Sequence, residues 1–199
     1  MLTCYSLVLS LLWGSAVESF IASTPCRTYA TSSRSSSTRN GRVSDLDQWI
    51  TWSSDSLLKL TGISLLDRME GIENVHDVHT CIRYAVLSHD TQQDPIYIYF
   101  NQGAFLTFQW PDNEVYSLPS RYSAPGGELR NERDILMKKV VQDQVQTFSE
   151  AIRQTKSGHQ FRLKDVLLWN VYDTGGNRVG QTALFDRTLI VPLETTIEQ

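Results

Sequence analysis

The chain has 199 residues, 41% apolar and 20% charged, with a formal net charge of −4. This is enough apolar residue for one domain with a core and excludes a disordered chain. Residues 1–42 carry four of the 18 basic and one of the 22 acidic residues, so the remainder holds 14 against 21, a net charge of −7. A surface of that sign, with no basic stripe, repels phosphate backbones and excludes direct binding of nucleic acid.

The first residues read as an address. Val8 to Trp13 is an apolar run that extends back through Leu2, too short to span a bilayer and followed by Gly14-Ser15-Ala16. It resembles the core of a signal peptide, although no basic residue precedes it. Arg27 to Arg42 is rich in Ser, Thr and Arg, the composition of a transit peptide. The two together resemble the two-part plastid leader of algae with complex plastids. Phe20 stands where such leaders often place an aromatic, although Glu18 departs from their small-residue context. The expectation is a leader over 1–43 and a plastid location, with secretory or mitochondrial delivery as the alternative. No stable membrane span is expected. Cys4 and Cys26 fall in the leader, which leaves Cys81 alone in the mature chain with no internal disulfide and no zinc pair.

Asp45 to Leu60 places Leu46, Trp49, Ile50, Leu57 and Leu60 at helical spacing, with Ser44 as N-cap and Gly62 as stop. Its apolar stripe is expected against the back of a sheet. Ile63 to Met69 adds a further helical turn. His76-Asp77-Val78-His79 and Cys81 have metal-compatible side chains, but the stretch reads as a solvated loop and no metal is assigned. Tyr84 to His89 and Pro95 to Phe100 form an antiparallel pair, after which Asn101 caps a short helix, Gln102 to Gln109. A turn-rich section from Pro111 to Gly127 leads to an amphipathic helix, Glu128 to Gln142, carrying Leu136, Met137, Val140 and Val141. Three strands follow: Phe148 to Thr155, Phe161 to Tyr172 and Arg178 to Arg187, joined by Gly-containing turns. The expected fold class is α+β, an antiparallel sheet flanked by helices.

Asp94 to Phe105 (DPIYIYFNQGAF) resembles the entry of a PAS domain, where a strand delivers an Asn to a short helix. Leu87 to Pro95 (LSHDTQQDP), Leu118 to Ala124 (LPSRYSA), Gly158 to Asn170 and Gly180 to Ala183 (GQTA) together resemble the MEKHLA domain family, in its stand-alone cyanobacterial and algal type. The likeness spans Asp45 to Phe185. It implies a PAS-like five-stranded antiparallel sheet with an extra N-terminal helix. The implied division is a helical extension over 44–80, a core over 81–190 and a tail over 191–199.

PAS domains bind small molecules or chromophores and dimerise. The resemblance therefore implies a sensory or regulatory role, binding a small molecule or responding to redox or light-linked signals, with a homodimer or regulatory protein as candidate partner. A PAS pocket lies between the sheet and the helices, and Asn101, Asn170 and Gln181 are its polar candidates, with Phe105 and Phe161 beside them. Amide side chains donate and accept, which suits a flat heteroaromatic ring such as flavin. The plainer roles are a helix cap for Asn101 and solvent exposure for Gln181. Adduct-forming flavin photochemistry needs a Cys between Asn101 and Ala124, and that stretch has none. Phe100, Phe108, Trp110 and Trp169 read as core aromatics, and Asp90, Asp94 and Arg121 as turn caps or pairs. Nothing resembles a hydrolytic triad or a phosphate loop, so no enzyme activity is assigned. The alternative function is a ligand-free interaction module that uses the outer sheet face or the N-terminal helix. It would expose an apolar patch around Trp49, Trp52 and Leu57.

Overall fold

The computed structural model describes residues 42–193. Most of the leader assigned to 1–43, and residues 194–199 of the tail, lie outside the described residues. Arg42 and Val43, read as the end of the leader, instead touch the folded domain. The Val43 amide donates to the Ile98 carbonyl at 3.2 Å, and the Arg42 guanidinium lies 5.3 Å from the centre of the Tyr116 ring.

Helix α1, Leu46–Thr61, starts one residue later than the spacing suggests, because Asp45 caps it by accepting from the Gln48 amide at 2.9 Å. It ends at Gly62, whose φ of 78° lets its amide close on the Leu58 carbonyl. A single 3-10 turn, Leu66–Arg68, follows. The stretch expected to be a loop is a helix, α2, Val75–Thr80. Asn74 makes it one: its side chain accepts from the amides of His76 and Asp77, satisfying two of the donors a helix start leaves open.

Six strands form one antiparallel sheet: β1 Tyr84–His89, β2 Tyr97–Phe100, β3 Val145–Gln154, β4 Gln160–Tyr172, β5 Arg178–Asp186 and β6 Val191–Pro192. The main order is β2-β1-β5-β4-β3. Helices α3 (Gln102–Phe108), α4 (Asp112–Val115) and α5 (Glu128–Asp143) lie in the crossover between the two edges. This is the PAS-like arrangement that the resemblance implies, with α1 as the extra N-terminal helix. The tail assigned from residue 191 begins as a strand. β5 pairs β4 only over Leu167 to Tyr172, and β6 takes part of the remaining edge at Phe161 and Arg162.

Both faces of the sheet are covered, so β1 and β2 are buried along their whole length. On one face α1 sets Trp49, Ile50 and Leu57 against Val86, Leu167, Trp169 and Leu184. A chain of polar groups pairs off here: Trp49 donates to Ser88, Ser88 bonds Thr182, Thr182 bonds Ser53, and Trp169 donates to the Ser53 carbonyl. Gly180 makes this packing possible, since a Cβ there would lie 2.4 Å from the His89 carbonyl oxygen and 2.9 Å from the Trp49 ring. The patch expected on the interaction-module reading does not form, because α1 turns Trp49, 3% exposed, and Leu57, fully buried, onto the sheet and leaves Trp52 half-buried. The opposite face packs Leu87, Phe108, Phe161, Leu163 and Phe185 beneath α3 and α5.

Asn101 joins the two halves. Its Oδ1 accepts from the Val86 and Ala104 amides at 2.9 Å each, so it does cap α3. Its Nδ2 donates to the carbonyls of Val78, Cys81 and Tyr84. Beside it α3 approaches β1 so closely that a Cβ on Gly103 would stand 2.3 Å from the Tyr84 oxygen. Replacing Asn101 strands several buried backbone groups, each worth about 1–3 kcal/mol when unpaired, with partial relief by relaxation. Asn101→Ala is expected to lose roughly 3 kcal/mol or more of stability in urea unfolding, whereas Asn177→Ala, at an exposed hairpin, should lose far less.

Candidate functional site

Alternation along β1 and β5 turns Leu87 and His89, and Gln181, Ala183 and Phe185, away from α1 and toward the helices of the crossover. There they meet Tyr97, Phe108, Arg133 of α5, Arg153 of β3 and Ser123 around an inner cavity of about 50 Å³. His89, Arg133, Met137 and Gln181, here called its neck, also line an outer vestibule of about 540 Å³. The vestibule is walled by the β1–β2 loop, residues 90–95, and by Arg121, Asp134, Lys138 and Arg178.

The β1–β2 loop is built by its acids. Asp90 Oδ1 accepts from the Gln92 and Ile96 amides, and Asp94 pairs with Arg121. The 3-10 turn Ser120–Ser123 of the LPSRYSA stretch sits between this loop and α5. The Ser120 amide donates to the Pro95 carbonyl at 2.7 Å, and its Oγ accepts from Arg133 at 2.5 Å.

His89 is 6% exposed. Its Nδ1 lies 2.8 Å from the Asp90 carbonyl oxygen, which can only accept, so Nδ1 carries the proton and Nε2 presents a lone pair. Nε2 is buried and has no hydrogen-bond partner among the described residues. Burial pushes the imidazole pKa down to about 4, against the Asp90 carbonyl, which favours protonation, and with Arg133 and Arg178 adding to the fall. Arg133, 4% exposed, also donates to Asp134 at 3.0 Å. Arg153 donates to the Ile152 carbonyl at 2.7 Å and has no ion pair among the described residues. Burial, and then Arg133, lower its pKa to about 10. Tyr97 donates to the Ser120 carbonyl, and burial raises its phenol.

Of the five residues expected at a pocket, Gln181 lines both the cavity and the vestibule and is 2% exposed, so it does not face solvent. The other four are not in the cavity lining. Both amide atoms of Asn101 are taken by backbone groups. Asn170 accepts from Gln181 at 2.9 Å and donates to the Val140 and Val141 carbonyls, closing the C-terminal end of α5. Phe105 packs at a tilt against Phe100 and Phe161 edge-on against Phe108, as core.

Sequence reasoning missed His89, Arg133 and Arg153 as site residues, though a signal existed for the arginines. Arg133, Met137 and Val140 share one helical stripe, so a guanidinium sits on the apolar face of α5. Arg153 lies between Ala151 and Thr155, both buried, on the inward phase of β3.

Away from this site, α1 and α2 bring Asp47, His76 and His79 together, with possible ligand atoms within 4.8 Å of one another. His79 bridges Asp47 at 2.7 Å and the Tyr99 hydroxyl at 2.8 Å, while His76 and Asp47 are exposed. Cys81 is buried in the α1-side core, across the sheet from the cavity. A thiol there cannot reach a ligand in the cavity, and 50 Å³ is far below the roughly 300–1,000 Å³ of sites that enclose drug-sized ligands, so a flavin ring does not fit the inner cavity.

The model of the MEKHLA domain matches residues 47–189. The chain belongs to the MEKHLA domain family. No curated protein matches it. Among solved structures, the PAS domain of a protein from Colwellia psychrerythraea is 17% identical, covered over 57% of this chain and 92% of its own, with a TM-score of 0.47. The dark structure of the blue-light photoreceptor Aureochrome1 LOV is 12% identical over 57% and 77%, at 0.42. An RNA-binding light-oxygen-voltage receptor is 18% identical over 56% and 31%, at 0.46. In the MEKHLA chain, the family segment LSHDTQQDP supplies the neck histidine and the vestibule loop.

The unfolded chain protonates His89 near its ordinary value, while the folded chain resists until about pH 4. Stability that is fully present above about pH 6.5 is therefore lost as pH falls toward 4, by about 3 kcal/mol for a shift of this size. Urea unfolding at pH 7.5, 5.5 and 4.5 should show a shallower decline for His89→Asn than for the parent, with the difference concentrated between pH 6.5 and 4.

Proposed function

We propose that this MEKHLA domain is a PAS-like sensory module that holds a small molecule in the cavity between its sheet and α5 and reports occupancy through α5. The observation that carries this reading is the unpartnered, buried Nε2 of His89, a residue that lines both the cavity and the vestibule. A lone pair taken from water without a partner is costly unless another group comes to meet it. Gln181, at the same neck, is bonded to Asn170, which clips the last carbonyls of α5. A ligand that competes for the Gln181 amide loosens or tightens that clip, so its differential contacts bias the seating of the helix.

The polar groups are arranged to bind and not to turn over a substrate. Guanidiniums exchange no protons near neutral pH, and the imidazole is held neutral. The outer sheet face, the other surface considered for a partner, is filled by α1, which favours the cavity over that face as the functional element. The Ser-, Thr- and Arg-rich stretch of residues 27–42 supports delivery to a plastid.

Mass spectrometry of the denatured extract of the purified chain tests the reading. About one small molecule per chain is expected, and Ala183→Leu, which fills the cavity from the sheet, should remove it while the protein stays folded. Hydrogen exchange over residues 128–143 should differ between loaded and emptied protein. An empty, folded chain whose melting no metabolite library shifts would end the sensor reading.

A further inference from the structure

The inner cavity has an unbalanced electrostatic composition. Arg133 and Arg153 both line it, and no carboxylate of the described residues does. The one acid bonded to Arg133, Asp134, belongs to the vestibule wall and is about half exposed. Arg153 spends a donor on the carbonyl of the residue before it and keeps the rest of its fork without an ion pair among the described residues. Two guanidiniums facing one small, largely apolar space, Arg133 buried and Arg153 half-buried, repel each other and give up part of their solvation. An anion between them relieves both effects, and the planar fork of arginine matches the two oxygens of a carboxylate.

The neck adds a second requirement. His89 Nε2 is an acceptor, because Nδ1 holds the proton against the Asp90 carbonyl. A carboxylate has no hydrogen to give it, whereas a hydroxyl does. Resting on the reading of this cavity as a ligand site, we propose that it binds a short-chain hydroxycarboxylate. The carboxylate lies between Arg133 and Arg153, the hydroxyl donates to His89 Nε2, and any longer substituent extends into the vestibule. The inner space, with room for only a few water-sized groups, suits a ligand head of this size.

The test uses the full-length chain with three probes at matched ionic strength: lactate, propionate without the hydroxyl, and methyl lactate without the charge. Thermal unfolding and calorimetry are expected to rank lactate above propionate, with methyl lactate not binding. Arg153→Met should weaken lactate binding roughly 10- to 100-fold, the range for a hydrogen bond to a charged group, without lowering the melting temperature of the unliganded protein. His89→Met should bring lactate and propionate to equal affinity while retaining carboxylate binding. Equal binding of lactate and methyl lactate by the parent protein overturns the proposal with no variant needed, as does undiminished lactate binding by a folded Arg153→Met. A neutral or cationic molecule in the denatured extract overturns this inference and leaves the sensory reading standing. An empty extract with no response to any of the three probes removes this inference, and the sensory reading falls with it only if the metabolite library also shifts nothing.

Discussion

The hydrogen bonds of one buried amide set the frame on which the rest depends. Asn101 binds backbone groups of α2, β1 and α3 at once, from the position where β2 ends. It fixes how the chain leaves the edge strand and therefore which way the crossover runs. The crossover could in principle pack on either face, but α1 and α2 occupy one. With Asn101 holding α2 and α3 at the same corner, α3 to α5 are confined to the other. The cavity is what remains between that set of helices and the sheet.

The two faces then follow different polar rules. Under α1 the buried hydroxyls and indole N–H groups of Trp49, Ser53, Ser88, Trp169 and Thr182 are matched to one another or to a carbonyl, and the Trp52 indole N–H is left over. Under α5 the protein leaves an imidazole nitrogen unmatched and brings two guanidiniums together without an enclosed counter-charge. A core that only had to be stable would gain by replacing such groups with apolar ones of similar volume. What sets the α5 side apart is an unmatched imidazole beside two guanidiniums around one cavity, and that is the physical argument for function there. The Gln181–Asn170 bond ties that side to the end of a helix, so chemistry at the neck has a mechanical outlet.

Each family segment has a structural cause. LSHDTQQDP ends β1 at His89 and supplies the acids that shape the vestibule loop. LPSRYSA forms the turn that receives Arg133 and holds Arg121 against Asp94. GQTA opens on the glycine that admits Trp49 and continues with the glutamine at the neck. None of these segments is a site alone. They meet because strands distant in sequence pair in register, Gln181 opposite both His89 and Asn170.

What the sequence determined by itself was local: apolar alternation for the long strands, the 3.6-residue stripe of α1 and α5, the left-handed stop at Gly62 and the cap at Asn101. These depend on a residue and its near neighbours, so they are readable in one dimension. Helix α2 escaped that reading because six residues hold too little periodicity, and the cap at Asn74 decides their conformation. Strand β6 escaped it because only the unpaired edge of β4 makes Val191 and Pro192 a strand. Beyond the cap at Asn101, the roles of the polar residues were decided by tertiary structure. Asn101, Asn170 and Gln181 are alike as amides, yet one is consumed by backbone, one clips a helix and one reaches the cavity. Arg133 and Arg153 look in sequence like surface charges on a helix and a strand. Their meaning arises where α5 crosses β3, because burial and the absence of an enclosed counter-charge are properties of the assembled space.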